Sequence, residues 1–301
     1  MKTISWLIMF GLSVMLIPEA IFAGGPGTTG AAYLKPAQNA RAAAMGGIQA
    51  VPMDGESAIF SNPGGLTYAD KVGFTCSYVS WFQDISFGNI SLVYPGDKLS
   101  FGLGAIYLNY GDIPGYDVNA NPTSDFGAHD LCGLLGIGYD LGNGIRFGGT
   151  VKFINEKIEE ESAFGLGLDI GGLYHFQNLP LRLGAVLQHM GLVDMRFVEE
   201  DTPWPTLMRF GAAYSALDDA LIFAAEANSV LGDETHFDGG VEYIYDEMFA
   251  LRLGYRTGPS DVGSGLCAGA GFYWKQYGVN YAFEPYGVLG NTHRFSILIQ
   301  V

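Results

Sequence analysis

Charged and ionisable side chains recur at alternate positions of segments whose other positions are apolar or small. In an extended chain, residues two apart share a face. Arginine binds carboxylates through a bidentate fork, and acids and histidine accept hydrogen bonds or protons. One face of these segments can therefore bind an anionic group or form internal ion pairs. The residues concerned are Arg146, Lys152, Arg182, Arg209, His236, Asp238, Glu242, Arg252, Arg256 and Arg294.

The residue types of a hydrolase or a nucleotide-binding enzyme occur without the spacing that such enzymes need. His129 and Asp130 are adjacent, so their side chains point to opposite faces of a strand. A Gly-x-Ser-x-Gly segment is absent from the sequence. The glycines of 165–172 imitate a dinucleotide motif, but they lie in a strand pattern with no helix after it. We predict neither enzymatic activity nor a cofactor.

Cysteines and acidic segments do not predict a metal site either. Cys76, Cys132 and Cys267 are far apart and lie within strand-like runs, where cysteine is a small apolar side chain. The acidic segments 156–162 and 198–201 have oxygen ligands, but not the spaced loop with a turn glycine that calcium sites use. We interpret both segments as solvated loops.

The composition indicates a β protein that exposes apolar surface to something other than water. Charged residues make up 15% of the 301 positions and hydrophobic residues 49%, whereas soluble domains have about 25% charged residues. The net charge of −16 and the scarcity of lysine exclude a nucleic-acid partner, because phosphate binding needs clustered basic residues.

The N-terminus has the features of a secretory signal peptide. Lys2 precedes the apolar run 4–17, and the small residue Ala23 provides a cleavage site. The run is short for a membrane span, and no later apolar run reaches the length of about 18 residues that a transmembrane helix requires. We therefore expect cleavage after Ala23 and no transmembrane helix.

Fourteen runs of about ten residues alternate apolar residues with small or polar ones. In segment 249–256, for example, Leu251 and Leu253 alternate with Arg252 and Gly254. An even number of strands of this length is typical of an outer-membrane β-barrel, whose lumen receives the small and charged side chains. The runs are 72–81, 85–94, 99–110, 127–140, 145–157, 163–176, 181–190, 206–216, 220–230, 235–245, 249–257, 265–275, 277–285 and 292–301.

The connections between the runs alternate in length, as the loops and turns of outer-membrane barrels do. Most connections after odd-numbered runs are longer, with 111–126 and 191–205 the longest, and we assign that end to the cell exterior; the first of these connections, 82–84, is short and does not fit the pattern. The other connections at that end are 158–162, 258–264 and 286–291, and the short turns at the opposite end are 95–98, 141–144, 177–180, 217–219 and 246–248.

The segment before the first run predicts short helices rather than strands. Its alanine-rich stretch has helix propensity, and Gly46 and Gly47 provide a C-terminal stop. Asp54 can cap a second turn, which Asn62-Pro63 ends. A barrel of fourteen strands is too wide for its own side chains to fill. We therefore predict that this segment is a plug, or hatch, inside the lumen.

The predicted organisation is an all-β transmembrane antiparallel barrel of about fourteen strands with a small N-terminal helical hatch, and it has three parts. They are a signal peptide at 1–23, the hatch at 24–71 and the barrel at 72–301.

Two motifs in the hatch resemble the start of the PorV/PorQ family of outer-membrane proteins. They are GTTGAAYLKPAQNARAAAMGG and NPGGL. That family is similar in turn to FadL-type channels for hydrophobic compounds, whose hatch has a related Asn-Pro motif. The sequence departs from the pattern at Gly64, at 54–58 and at the terminal Val301. The residues of the hatch motif, including the two turn positions Gly47 and Asp54, are Arg41, Met45, Gly46, Gly47, Asp54, Asn62, Pro63, Gly65 and Leu66.

The resemblance implies two functions in the bacterial outer membrane. FadL-like relatives take up hydrophobic small molecules passively, and here the hatch would be the gate. Some PorV-like members work with the type IX secretion system and handle secreted protein cargo or attach it to the cell surface. A structural barrel that contacts only membrane lipid is a third possibility.

The charged inner face has two interpretations. It can anchor the hatch or the carboxylate of a ligand, or it can consist of arginine–acid pairs between neighbouring strands that fill the lumen. Arg41 is relevant to the first interpretation, in which the charged inner face anchors the hatch. We expect it to hold the hatch in place by pairing with a lumen acid such as Asp238 or Glu242.

Overall fold

The computed structural model describes most of the chain. The predicted signal peptide 1–23 and the short connection 82–84 lie outside the described residues, as does most of the predicted loop 258–264. The described ranges are 29–81, 85–197, 200–231, 234–258 and 265–301.

Fourteen antiparallel strands form a closed barrel, in which the first strand pairs with the last. This confirms the predicted fold class. The barrel strands are β1 (Gly73–Ser80), β2 (Ser86–Tyr94), β3 (Leu99–Ile113), β4 (Phe126–Gly142), β5 (Ile145–Ile158), β6 (Glu161–His175), β7 (Leu181–Val193), β10 (Leu207–Ala216), β11 (Leu221–Val230), β12 (Thr235–Tyr245), β13 (Phe249–Arg256), β14 (Leu266–Trp274), β15 (Tyr277–Pro285) and β16 (Asn291–Gln300).

The outer face of the barrel is apolar and the inner face is small or charged. On β13, Leu251 and Leu253 are 65% and 64% exposed, whereas Arg252 between them is 2% exposed. Large apolar side chains cover the outside of the other strands in the same way. Closure pairs the backbone hydrogen-bonding groups of every strand edge, and the apolar outer face is suited to contact with lipid. A barrel with these two properties spans a membrane. This is the architecture of a bacterial outer-membrane protein, and it places the chain in that membrane.

Two predicted loops, 191–205 and 158–162, differ from the prediction at one end of the barrel, which is called the outer end. β7 continues to Val193, and the connection after it contains a hairpin of β8 (Met195–Phe197) and β9 (Glu200–Thr202). The predicted loop 158–162 is wrong, because β5 and β6 extend into it and meet at a tight turn with Glu159 at φ 56°.

The described part of the hatch, 29–71, contains one short α-helix and three 3₁₀ helices. The elements are the 3₁₀ helix Ala32–Leu34, α1 (Ala40–Ala44), and the 3₁₀ helices Ala58–Phe60 and Pro63–Tyr68; a further 3₁₀ helix, Gly287–Leu289, lies in the last outer loop. Within the part of the chain that the structure describes, no helix is long and apolar enough to span a membrane.

Local sequence explains where α1 begins and ends. The Asn39 side chain accepts a hydrogen bond of 2.8 Å from the Ala42 amide and caps the N-terminus. Gly46 and Gly47 have φ values of 82° and 86°, and the Gly47 amide donates to the Ala42 carbonyl at 2.8 Å. This left-handed ending is the helix stop that glycine favours.

The hatch fits the lumen because the facing wall is rich in glycine. A Cβ on Gly102 or Gly136 would lie 3.0 Å from the Leu66 side chain and 3.1 Å from Ile59. A Cβ on Gly240 would overlap the Met45 backbone. Glycine therefore lets the wall approach the backbone and side chains of the hatch closely.

Candidate functional site

The interface between the hatch and the inner wall is the candidate functional site, and it has two chemically different sides. On the side of β2 to β6, the hatch packs in a large apolar cluster that includes Tyr33, Ile59 and Leu66. On the side of β7 and β10 to β16, buried charged side chains face it. The hatch is therefore held by ion pairs on one side and by apolar contacts on the other.

Arg41 of the hatch is bound by Glu242 of β12. Its guanidinium lies 2.5 Å and 2.9 Å from the two carboxylate oxygens, and Arg252 contacts the same carboxylate from β13. Arg252 also donates to Asn280 at 2.8 Å. Glu242 and Arg252 are almost fully buried. Of the two acids considered from the sequence, Glu242 is the one that the structure pairs with Arg41.

A second ion pair binds the backbone of the hatch. Arg209 of β10 lies 2.6 Å from Glu226 of β11, and the other Glu226 oxygen accepts from the amides of Gln49 and Ala50 at 2.7 Å and 2.6 Å. Arg209 also donates to the Lys35 carbonyl at 2.8 Å. Sequence analysis selected Arg209 and missed Glu226, although Glu226 alternates with small residues on its strand.

Asn62 joins the hatch to β6 and β7 through its amide. Its Nδ2 donates to the carbonyls of Ala50, Gly172 and Ala185 at 2.8, 3.1 and 3.2 Å. Its Oδ1 accepts from the Gly64 amide at 3.1 Å and caps the last 3₁₀ helix of the hatch. The asparagine of the Asn-Pro motif is therefore a buried anchor as well as a cap.

Lys152 belongs to a buried charge cluster in the wall itself. Its Nζ lies 2.7 Å from Asp169 Oδ2 and 2.7 Å from His189 Nδ1, and the His189 amide donates to Asp169 Oδ1 at 2.7 Å. His189 has φ 56°, where the ladder between β6 and β7 shifts register. Lys152 therefore compensates an acid at an irregular point of the wall.

Arg146 and Arg182 surround Tyr68 at the end of the barrel opposite the outer end. The Arg146 guanidinium lies 4.9 Å from the centroid of the Tyr68 ring and 3.2 Å from Asp140, and Arg182 donates to the Met53 sulfur at 3.5 Å. Burial raises the pKa of Tyr68, and the two arginines oppose this shift. Both arginines thus contact the end of the hatch that leads into β1.

Arg256 and Arg294 share one acid, Glu284. The distances from their guanidinium nitrogens to its oxygens are 3.1 Å and 3.6 Å. Arg256 also lies 5.1 Å from the centroid of the Tyr286 ring. These two arginines form pairs between strands, as the second interpretation of the charged face expects.

His236 and Asp238 lie on the inner face of β12, nearer the outer end than Glu242. Asp238 accepts a hydrogen bond of 2.7 Å from Asn228 on β11. It does not bind Arg41. His236 is directly opposite Asn228 in the strand register.

Trp204 closes the apolar side of the lumen at the outer end. Its indole is seated against Gly165, Gly167 and Gly191, where a Cβ would collide with the ring. Its Nε1 donates to the Val193 carbonyl at 2.9 Å. Met195 and Trp204 of this connection therefore project into the lumen, whereas its Arg196–Asp201 pair stays exposed.

Two acids lie on the apolar side and were not selected from the sequence. Asp130 of β4 and Glu156 of β5 are directly opposite each other and are 4% and 7% exposed. Tyr110 donates to Asp130 at 2.9 Å, and the Ala31 amide donates to Glu156 at 2.8 Å. Sequence analysis assigned Glu156 to a solvated acidic loop, which is wrong, because β5 continues to residue 158.

A small cavity remains between the hatch and β1, β14, β15 and β16. Its volume is about 30 Å³, which is room for one or two water molecules. Arg41 and Asp54 line it from the hatch, with Tyr273 and Asn280 opposite. Asp54 also accepts from the Ser57 amide at 3.0 Å, the capping contact that the sequence predicts.

Solved structures with a similar fold include two hydrocarbon channels and a FadL homologue. The Pseudomonas putida toluene transporter TodX superposes with a TM-score of 0.61 at 17% identity, over 87% of this chain and 96% of that one. The CymD monoaromatic hydrocarbon channel gives 0.60 at 13% identity over 87% and 96%. A FadL homologue of Pseudomonas aeruginosa gives 0.56 at 13% identity over 87% and 98%.

The chain thus has the plugged fourteen-strand fold of FadL-type channels. At these identities the likeness establishes the fold and leaves the transported compound open. No protein-family model and no curated protein sequence matches the chain. The PorV/PorQ resemblance of the hatch motifs, and the secretion partners that it implies, stay predictions.

Proposed function

We propose that the protein is a channel for passive uptake of hydrophobic small molecules across the outer membrane, and that its hatch is the gate. The observation that carries this proposal is the unequal attachment of the hatch. Two parts are distinguished below: the entry segment, 29–38, and the anchored segment, 39–71.

The anchored segment is held to the wall by buried polar contacts along its length. Arg41 binds Glu242, and Asn62 binds carbonyls of β6 and β7. Ala40 donates to Ser296, and Glu56 accepts from Gln300 at 2.6 Å. Breaking a buried ion pair is costly because a charge is left without a partner. This part is expected to stay in place while the channel works.

The entry segment has weaker attachments and lies on the apolar side of the lumen. Among the described residues, no ion pair joins it to the wall. Its polar contacts with the wall are single hydrogen bonds, such as Gly30 to the Pro203 carbonyl at 3.1 Å and Asn89 to the Gln38 carbonyl at 2.6 Å. Its buried side chains Tyr33 and Leu34 occupy apolar space.

Withdrawal of the entry segment would therefore expose an apolar surface at the outer end. A hydrophobic molecule that replaces it buries its own apolar area against the same wall, and this burial is favourable. The FadL-type fold, together with the hydrocarbon specificity of its structural neighbours TodX and CymD, supports this proposal.

A reversible disulfide tests the gate. A Cβ on Gly30 would lie 2.9 Å from Thr202 Cγ2, so Gly30→Cys with Thr202→Cys brings two thiols to a distance at which a disulfide forms. We expect uptake of ethylbenzene into proteoliposomes to fall to the protein-free rate when the pair is oxidised, and to recover on reduction. Gly30→Cys alone is the matched control. Equal uptake by the oxidised and reduced double variant would contradict the gate.

A further inference from the structure

The acids Asp130 and Glu156 are an unusual pair for an apolar environment. They face each other across neighbouring strands within the cluster that contains Tyr33, Leu108 and Trp204. Directly opposed like charges repel, and burial strengthens the repulsion. The described residues provide no lysine, arginine or histidine in an ion pair with either carboxylate.

The donors that the two carboxylates have are neutral. One oxygen of Asp130 accepts from the Tyr110 hydroxyl, and one oxygen of Glu156 accepts from the Ala31 amide. Lys152, the nearest lysine on the same face of β5, is already paired with Asp169, and Lys157, which follows Glu156 in the strand, points to the opposite face. The pair therefore retains capacity to accept hydrogen bonds and to bind a cation.

Tyr33 of the entry segment gives a second, independent indication of a binding site. Its side chain is 4% exposed, and its hydroxyl has no hydrogen-bond partner in the described structure. Burial raises the pKa of Tyr33, and neighbouring Cys132, Asp130 and Glu156 raise it further. A buried hydroxyl without a partner is costly. Tyr33 belongs to the segment that a ligand would replace, so this unmet hydrogen bond lowers the cost of displacing residues 30–34.

The entry segment shows what chemistry the site accepts. Residues 30–34 present a backbone donor to Glu156 and the apolar side chains of Ala31, Tyr33 and Leu34 to the wall. A molecule that displaces them must replace both the donor and the apolar body. A protonated amine satisfies the acid pair better than the neutral amide does, because charge-assisted hydrogen bonds are stronger.

We propose that Asp130 and Glu156, with Tyr110, form the polar end of a lumen subsite for hydrophobic molecules that carry a protonated amine, with residues 30–34 as its built-in occupant. This inference rests on the proposed uptake function and specifies its substrate class. Hydrocarbons fill the apolar part without neutralising the acids. Hydrophobic carboxylates are repelled by them.

Three probes of similar apolar body test the subsite: 2-phenylethylamine, ethylbenzene and 3-phenylpropanoate. Binding to the detergent-solubilised full chain is measured by calorimetry at neutral pH. We expect the amine to bind at least about tenfold more tightly than ethylbenzene, and the carboxylate most weakly. In the double variant Asp130→Asn/Glu156→Gln, we expect the ratio of amine to ethylbenzene affinities to fall to about one. Ethylbenzene itself should still bind.

Glu160→Gln/Glu161→Gln is the matched control. It removes the same two charges from an exposed turn at the same end and should keep the amine preference. The affinity ratio is the readout because a variant that only loosens the hatch changes the affinity for both probes together. Gel migration before and after heating shows whether each variant has a folded barrel.

Two results would overturn the subsite. The amine preference could survive in the double variant, or it could be lost equally in the control, which would assign it to surface charge. In either case, the proposed channel function would still stand if ethylbenzene uptake by the Gly30→Cys/Thr202→Cys variant differs between its oxidised and reduced forms. If no probe binds and ethylbenzene uptake is absent as well, the channel function and the subsite fail together.

Discussion

Replacing Arg41 with alanine is expected to loosen the anchored segment without unfolding the barrel. The variant loses both hydrogen bonds to Glu242 and a third to the Met53 carbonyl at 3.0 Å. The Arg41 side chain is 14% exposed and that of Glu242 is buried. Breaking a buried pair costs roughly 3–5 kcal/mol. Arg252 still neutralises Glu242, so we expect a loss at the lower end of this range, about 3 kcal/mol. This loss corresponds to roughly a hundredfold decrease in the equilibrium constant for docking of the hatch.

Hydrogen exchange at the amides of α1 measures this shift, because their exchange reports local opening. Faster exchange in α1, together with unchanged exchange in β12 and β13, is the expected result. Arg196→Ala is the control, since Arg196 pairs with Asp201 in an exposed hairpin. The reasoning is refuted if Arg41→Ala leaves both α1 exchange and ethylbenzene uptake at the wild-type values.

Two further predictions concern the anchored segment. Asn62→Ala removes two donated hydrogen bonds to the wall, at the Gly172 and Ala185 carbonyls; its contacts with Ala50 and Gly64 lie within the hatch itself. At about 1 kcal/mol for each bond to the wall, the substitution should weaken docking by about 2 kcal/mol, seen as faster amide exchange in 63–68. The exposed Asn119→Ala should leave that exchange unchanged. Burial, and after it the nearby Asp54 carboxylate, raises the pKa of Glu56. The pKa of Glu56 is therefore higher in the docked hatch than in the undocked hatch. Docking is strongest at low pH, and it weakens as the pH rises from the ordinary carboxyl pKa through the raised pKa. In Glu56→Gln, the protection of the hatch amides, taken as their exchange rate relative to the intrinsic rate at each pH, should lose its pH dependence in that window, and an unchanged pH slope of this protection would argue against the assignment.

The strands could be predicted because their signal is local. Alternation with period two depends only on neighbouring residues, and it places the side chains of β13 on the correct faces. The same holds for the C-terminal end of α1, where Gly46 and Gly47 act within one turn. With fourteen such strands and connections that alternate in length, a closed barrel is the arrangement that leaves no strand edge unpaired.

The partners across the lumen could not be predicted in this way. Alternation assigns Arg41's partners to an inner face, but the choice between Asp238 and Glu242 depends on how deep the hatch sits. That depth is set by contacts such as Met45 against Gly240, which are far apart in sequence. Glu156 was misassigned because the acidic residues after it suggested a loop, whereas pairing with β6 extends the strand.

The distribution of charge in the lumen explains how a tightly packed plug can still work as a gate. Arginine–acid pairs lie on the side of β10 to β16, where they fix the anchored segment at Arg41. The apolar side carries two acids without basic partners among the described residues, and there the entry segment donates its neutral Ala31 amide to Glu156. A neutral donor can be exchanged for that of a ligand at little cost, whereas a buried ion pair cannot. The exchangeable end of the hatch is therefore the end that contacts Asp130 and Glu156, and a cationic hydrophobe competes with it at that point.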